Sequence, residues 1–218
     1  MYWQTFYNCR VKFARPLLYM INIGNIKKTY NNQVVLDINN LSLEEGKIYV
    51  VIGANGSGKS TLAKIISGLL LDDSDKAKNI VSDKDLGHKL NIGYLPQKPY
   101  IFDMSLEKNI MINSNNKDKC QSLIDRFDIS YLKGKNAKKM SGGEQQKMGL
   151  ARFMMQDYDL AILDEPTSAM DNNSKINALE IIKDYSKDKT IIMITHDTSN
   201  LNEIADYIIK LDCGKIIC

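Results

Sequence analysis

The sequence predicts an α/β domain built around a mainly parallel β-sheet, with a small antiparallel β subdomain and a helical subdomain attached. Three features lead there. Strand-like runs alternate with helical ones, the pattern of βα units and parallel pairing. Ile48-Tyr49-Val50-Val51-Ile52 and Leu160-Ala161-Ile162-Leu163 are apolar throughout, as suits strands covered on both faces. The first of these runs ends in a glycine-rich turn that opens a helix.

Taken in order, residues 1–19 form a non-native or disordered N-terminal extension by this reading, and 20–218 form the domain. The extension fails as a signal peptide, because Asn8, Arg10, Lys12 and Arg15 interrupt any apolar stretch. Next come Ile21-Asn22-Ile23, Val34-Val35-Leu36 and Leu41-Ser42-Leu43, broken at Gly24, Asn31-Asn32 and Asn39-Asn40. Short apolar pieces between turn residues predict the antiparallel layer. A helix is expected from about Lys59 to Leu70, and the helical subdomain over about 104–156. Within it, Cys120, Leu123, Ile124 and Phe127 fall at helical spacing. Ser141 has the chemistry of an N-cap, with Glu144 as its capping-box partner, for a helix running through Gln156. The remainder predicts strands at 160–163, 190–195, 207–211 and 215–218, and helices at 174–185 and 201–205.

Composition excludes several classes. Charged residues make up 25% and the net charge is +3, too mild for a nucleic-acid partner, which calls for a clustered basic face. The densest basic run, Lys133, Lys135, Lys138 and Lys139, reads as a solvated loop. No run of about 18 apolar residues is present, so no membrane span is predicted. Cys9, Cys120, Cys213 and Cys218 form no CxxC pair, which points to free thiols in a reducing compartment.

Chemistry first shows at Gly53-Ala54-Asn55-Gly56-Ser57-Gly58-Lys59-Ser60, followed by Thr61, which matches the phosphate-loop pattern G-x-x-x-x-G-K-[ST]. A triphosphate is well solvated by water, so a protein must offer it many donors at close range. Glycines let the backbone wrap tightly with its N–H groups inward. The helix N-terminus adds partial positive charge. Lys59 is expected to reach the β- and γ-phosphates, and Ser60 to hold Mg²⁺ through its hydroxyl. The core is therefore predicted to be a P-loop NTPase.

The run at 160–163 ends in Asp164 and Glu165. Ligands of open parallel sheets sit at the carboxyl ends of strands, which would place Asp164 near the phosphate loop. Asp164 is the expected Mg²⁺ partner, partly through water, because Mg²⁺ keeps waters and takes few carboxylates. Glu165, one residue on, is the candidate general base for an attacking water.

Ser141-Gly142-Gly143-Glu144-Gln145-Gln146 lies 23 positions before Asp164 and resembles the signature sequence of ABC ATPases. The resemblance runs from Ile21 to Cys218 and is to the ATP-binding proteins of ABC transporters. The family usually has Gln where this chain has Glu144, and leucine where it has Met140, a near-isosteric change. The resemblance implies further roles. Tyr30 matches the aromatic residue that stacks on adenine. Gln97, in Tyr94-Leu95-Pro96-Gln97, matches the glutamine that touches Mg²⁺ or water. Ser168-Ala169-Met170-Asp171 matches the loop that contacts the opposite subunit, and His196 matches the histidine that contacts the γ-phosphate. Two such domains pack head to tail in this family, so a homodimer is implied. Ser141, Gly142, Gly143 and Glu144 of one copy would then act on the ATP of the other.

The resemblance implies ATP hydrolysis that powers transport through separate membrane permease subunits. It places the chain in the cytoplasm, peripheral at the inner face of the cell membrane. Pro99-Tyr100-Ile101-Phe102 and Ser105-Leu106 are expected to be exposed anchors beside a groove for a permease helix. The stretch from Gln97 to Ser105, with Asn109-Ile110, looks most like small importer ATPases for metal oxyanions such as tungstate. The alternative is a non-transport ABC ATPase acting on ribosomes or DNA. Those forms usually carry tandem cassettes or a long coiled-coil insertion, whereas this chain has one cassette and a short region between Gln97 and Ser141.

Overall fold

The computed structural model describes residues 19–73, 80–82, 89–199 and 201–217. Apart from Tyr19, the extension expected at 1–19 lies outside the described residues, as does Cys218. In chain order the first elements are β1 (Met20–Ile23), β2 (Ile26–Tyr30), β3 (Gln33–Ile38), β4 (Leu41–Glu44), β5 (Ile48–Ile52), α1 (Lys59–Ile66), β6 (Ile80–Ser82) and β7 (Ile92–Leu95). The helices α2 (Leu106–Ile110), α3 (Lys117–Arg126) and α4 (Gly142–Met154) follow. The last elements are β8 (Leu160–Asp164), α5 (Asn172–Tyr185), β9 (Thr190–Ile194), α6 (Leu201–Ile204), β10 (Tyr207–Asp212) and β11 (Lys215–Ile216).

The main sheet has the order β11-β10-β5-β9-β8-β7. Its five strands from β10 to β7 are parallel, and β11 closes the edge antiparallel. Successive side chains alternate between the faces. On β5, Ile48 and Val50 join the core beneath α4 and α5, while Tyr49 and Val51 join the core beneath α1 and the antiparallel strands. Strands β8 and β9 divide the same way, Leu163 and Met193 facing one core, Ile162 and Ile192 the other. Burial on both faces is why these strands are apolar without alternation.

The antiparallel layer consists of β4-β1-β6 and the hairpin β2-β3. Asn31 and Asn32 turn the hairpin with φ of 49° and 64°, a conformation that asparagine tolerates. Strands β2, β6 and β7 go beyond the runs picked out from sequence. Only Ile26 of β2 is buried, so this strand carries no apolar run, and β7 is four residues with Gly93 inside it. Helix α1 stops at Ile66, short of the expected Leu70, because a glycine turn at Gly68 closes it. Helix α4 ends at Met154, two residues before Gln156. No helix among the described residues is long and apolar enough to cross a membrane.

Candidate active site

Four neighbouring parallel strands, β5, β9, β8 and β7, deliver the polar residues at their carboxyl ends. Strand β5 leads into Gly53, β9 into Thr195 and His196, β8 into Asp164 and Glu165, and β7 into Gln97. A cavity of about 630 Å³ opens there. It brings together Asn55, Gly56, Gly58, Lys59, Ser60, Thr61, Gln97, Asp164, Glu165 and His196, with Tyr30 from the end of β2. Gly53 and Ser57 do not line it. Ser57 is buried and fastens the loop instead: its N–H donates to Ala54 O at 3.1 Å, and its carbonyl accepts from Gly214 N at 3.1 Å.

The loop before α1 is shaped for an anion. Gly58 has φ of +104°, and a Cβ there would lie 2.7 Å from Leu36 Cδ2. Helix α1 begins without a side-chain cap, whereas α2, α3, α4 and α5 are capped by Ser105, Asn116, Ser141 and Asp171. Its leading N–H groups therefore face the cavity with no cap drawn across them. Lys59 Nζ donates to Gly53 O at 2.8 Å and Ala54 O at 2.9 Å, so lysine and loop form one unit.

The acidic strand end is more constrained. Asp164 is buried and accepts from the Tyr94 hydroxyl at 3.1 Å. Burial and the Asp164 charge push the Tyr94 phenol up, which keeps it a donor. Ser60, Gln97 and Asp164 line the cavity with oxygen donors, the type Mg²⁺ takes, so the residues present fit that ion. Glu165 has φ of 49°, a left-handed conformation that costs a non-glycine residue about 1–2 kcal/mol. It is held on several sides. Its N–H donates to Ile194 O at 2.9 Å, Oε1 lies 2.7 Å from His196 Nδ1, and Thr195 Oγ1 donates to Oε2 at 3.4 Å. The loop after His196 is tied in turn: Lys175 pairs with Asp197 and donates to Ser199 Oγ at 2.8 Å. That hydrogen bond from Lys175 holds the Asp197 carboxyl well below its usual range.

Ser141, Gly142, Gly143 and Glu144 lie elsewhere. With Ala169, Met170 and Asp171 they line a second cavity of about 470 Å³, and none of them lines the first. The expected capping box is present. Glu144 N donates to Ser141 Oγ at 3.3 Å, and Ser141 N donates to Glu144 Oε2 at 2.7 Å. That amide holds the Glu144 carboxyl below the usual range. Of the two loop residues expected at a subunit contact, Asp171 lines this cavity and caps α5, accepting from Ser174 N at 2.9 Å. Ser168 lines neither cavity and accepts from Gln146 Nε2 at 3.3 Å.

Sequence reasoning missed three side chains. Tyr94 holds Asp164, Lys175 holds the loop after His196, and Gln146 holds the loop after Glu165. Two had a signal. Gln146 falls in a stripe with Gly149, Leu150 and Phe153, and Lys175 in one with Ala178, Leu179 and Ile182. A polar residue at i, i+3, i+4, i+7 spacing within an apolar stripe is buried and must find partners.

Beyond Gln97, a groove of about 310 Å³ runs between Pro99, Tyr100 and Phe102 on one side and Gly149, Arg152 and Phe153 on the other. Arg152 donates to Tyr100 O at 2.6 Å. Asn109, fully buried, donates to Phe102 O, Met104 O and Ser105 O and accepts from Phe102 N, each at 3.1 Å. Tyr100 is 70% exposed, as an anchor should be. Leu106, expected exposed, is 0% exposed, because it starts α2 and turns into the core shared with α4.

A parallel sheet with a phosphate loop and two carboxylates at its carboxyl edge defines a P-loop ATPase. The sequence model of the family described as ABC transporter matches residues 36–168. The tungstate uptake system ATP-binding protein TupC of Peptoclostridium acidaminophilum is 34% identical over 206 residues, covering 90% of this chain and 96% of that protein. The zinc import ATP-binding protein ZnuC of Buchnera aphidicola subsp. Baizongia pistaciae (strain Bp) is also 34% identical, over 91% of this chain and 79% of that protein. Among solved structures, a bacterial Atm1-family ABC exporter with ATP bound matches the fold with a TM-score of 0.80 at 21% identity, over 93% of this chain and 39% of that one. The chain belongs to the ABC transporter family, as an ATP-binding subunit whose ATPase activity is coupled to transport.

Proposed function

We propose that the first cavity binds ATP with Mg²⁺ and that Glu165 is the general base of its hydrolysis. Lys59 and the N-terminus of α1 bind the phosphates, and Tyr30 stacks on the adenine. Ser60, Asp164 and Gln97 hold Mg²⁺, partly through water; the bound ion supplies charge neutralisation at the phosphates. Glu165 takes the proton of the attacking water, and His196 contacts the γ-phosphate. The observation that carries this reading is the pair formed by Glu165 and His196 at 2.7 Å, in one cavity with Lys59.

Ser141 and the glycines after it line a cavity apart from the first, so we take them to act on the nucleotide of a second copy, packed head to tail. Ser168 and Asp171 then lie at the contact between copies. We take residues 20–218 as the ATPase domain, with 104–156 as its helical subdomain, and 1–19 as an extension outside it. We take the groove at Tyr100 and Phe102 to receive an amphipathic helix of a membrane permease, with the chain at the cytoplasmic face of the membrane. No nucleic-acid partner is needed. For cargo we propose a metal oxyanion such as tungstate, on the stretch from Gln97 to Ser105 and the near-complete overlap with TupC.

Glu165→Gln should bind ATP within about threefold of the unaltered chain while turnover falls by about a hundredfold or more. Unchanged turnover would remove Glu165 from the mechanism. For cargo, cells lacking the chain should lose tungstate accumulation and keep zinc accumulation; the reverse would replace the oxyanion with zinc.

A further inference from the structure

Gln146 lines neither cavity, yet it touches the residues that build both. It lies in the second turn of α4 and is 4% exposed. Every hydrogen bond its side chain makes goes to one short loop: Nε2 donates to Glu165 O at 2.8 Å and to Ser168 Oγ at 3.3 Å, and Oε1 accepts from Ala169 N at 2.8 Å. A buried amide spent wholly on one segment is a clamp, because leaving any of those groups unpaired carries a desolvation penalty.

The segment needs a clamp. Glu165 is left-handed, and the residue after it is Pro166, which has no N–H with which to close the turn. Closure within the loop falls to Ser168 N, whose bond to Glu165 O is 3.3 Å long. The bond from Gln146 to the same carbonyl is the shorter one. The first turn of α4 meets the loop as well: a Cβ on Gly143 would lie 2.9 Å from Ala169 O, so nothing larger than glycine lets the backbones approach this closely. Ser141 and Glu165 are thus joined through a single rigid contact between the start of α4 and residues 165–169.

We propose that Gln146 is a positioning residue for ATP hydrolysis, setting the backbone of Glu165 from the signature helix. This rests on the reading of Glu165 as the general base. Its consequence is a link between the two cavities of one chain. Whatever seats against Ser141 and Gly143 shifts α4, and Gln146 passes that shift to Glu165. The nucleotide held by one copy would thereby tune the base that serves the other.

The test compares Gln146→Met, Gln146→Glu and Glu165→Gln with the unaltered protein. Gln146→Met keeps the length and loses all three bonds; Gln146→Glu keeps the acceptor for Ala169 N and loses the donor to Glu165 O. Both should lower kcat at least about tenfold, the usual consequence of a slightly misplaced catalytic group, with the KM for ATP within about threefold. A merely structural role would instead move KM and the unfolding temperature along with kcat, and that result overturns the proposal. So does a kcat within threefold of the unaltered protein. If the methionine variant does not fold, Gln146→Glu decides, together with hydrogen exchange of the Ala169 amide in the unaltered protein. That amide should be protected; exchange at the rate of a free loop would mean the clamp does not exist. Glu165→Gln separates the two readings. If it turns over normally, the base assignment falls and this proposal with it. If it is inactive while folded Gln146 variants are not, only the clamp is wrong.

Discussion

Two helices of this chain begin with glycines and a hydroxyl, and they are built in opposite ways. Helix α1 opens from Gly58 without a side-chain cap, at the carboxyl edge of four strands, with Lys59, Asp164 and Glu165 around it. Helix α4 opens with a closed capping box on the outer surface. There the nearby carboxylates, Glu144 and Asp171, are already occupied by backbone amides. Ser141 Oγ accepts from Glu144 N, and the Ser141 side chain also bonds the Glu144 carboxylate. On the proposed function, the first N-terminus takes the phosphates of the chain's own nucleotide, and the second meets a nucleotide carried by another copy.

The comparison predicts effects of different kinds at the two helices. The largest is at α1: Lys59→Ala should weaken ATP binding by the isolated chain by close to a hundredfold, through loss of charged hydrogen bonds worth about 2–3 kcal/mol. Titration with a fluorescent ATP analogue measures this. Ser141→Arg should leave that titration unchanged while lowering turnover about a hundredfold, the scale of losing a transition-state donor. If Ser141→Arg weakened binding as Lys59→Ala does, the two N-termini would be parts of one cavity and the contrast would be lost. A smaller effect is expected at Tyr30, which is 46% exposed. Tyr30→Ala should raise KM about tenfold and Tyr30→Phe should not, because the ring face and not the hydroxyl covers the base.

The smallest effect is at Glu144. Glutamine there preserves the capping box, so turnover should stay within about twofold, while Glu144→Ala should cost about 1 kcal/mol of stability. The sign with pH follows from its lowered pKa. The carboxylate's contribution is complete above the usual carboxylate range and is lost as pH falls through the folded value. Melting curves between neutral and acid pH should therefore flatten in Glu144→Gln.

The parts of the fold written in long apolar runs were legible from sequence, because burial on both faces leaves nothing else for β5, β8 and β9 to be. Strand β2 was not, since Ile26 is its one buried residue and its pairing comes from the Asn31-Asn32 turn. At the site, the phosphate loop and the acidic end of β8 could be picked out by their pattern, whereas Tyr30, Gln97 and His196 were reached through the family resemblance. The helical stripes of Gln146 and Lys175 signal burial, but not the partners of these residues or of Tyr94, which lie 19 to 70 positions away. What linked Tyr94 to Asp164 was the pairing of β7 with β8, and that pairing is a property of the sheet.

The central claim is that one chain holds half of each working site. Specific ATPase activity measured against chain concentration, with mass followed by sedimentation in the presence of MgATP, tests it most directly. The account predicts specific activity that falls on dilution in step with the loss of dimer, and a dimer stabilised by Glu165→Gln. A monomer that hydrolyses ATP at full, concentration-independent rate would contradict it.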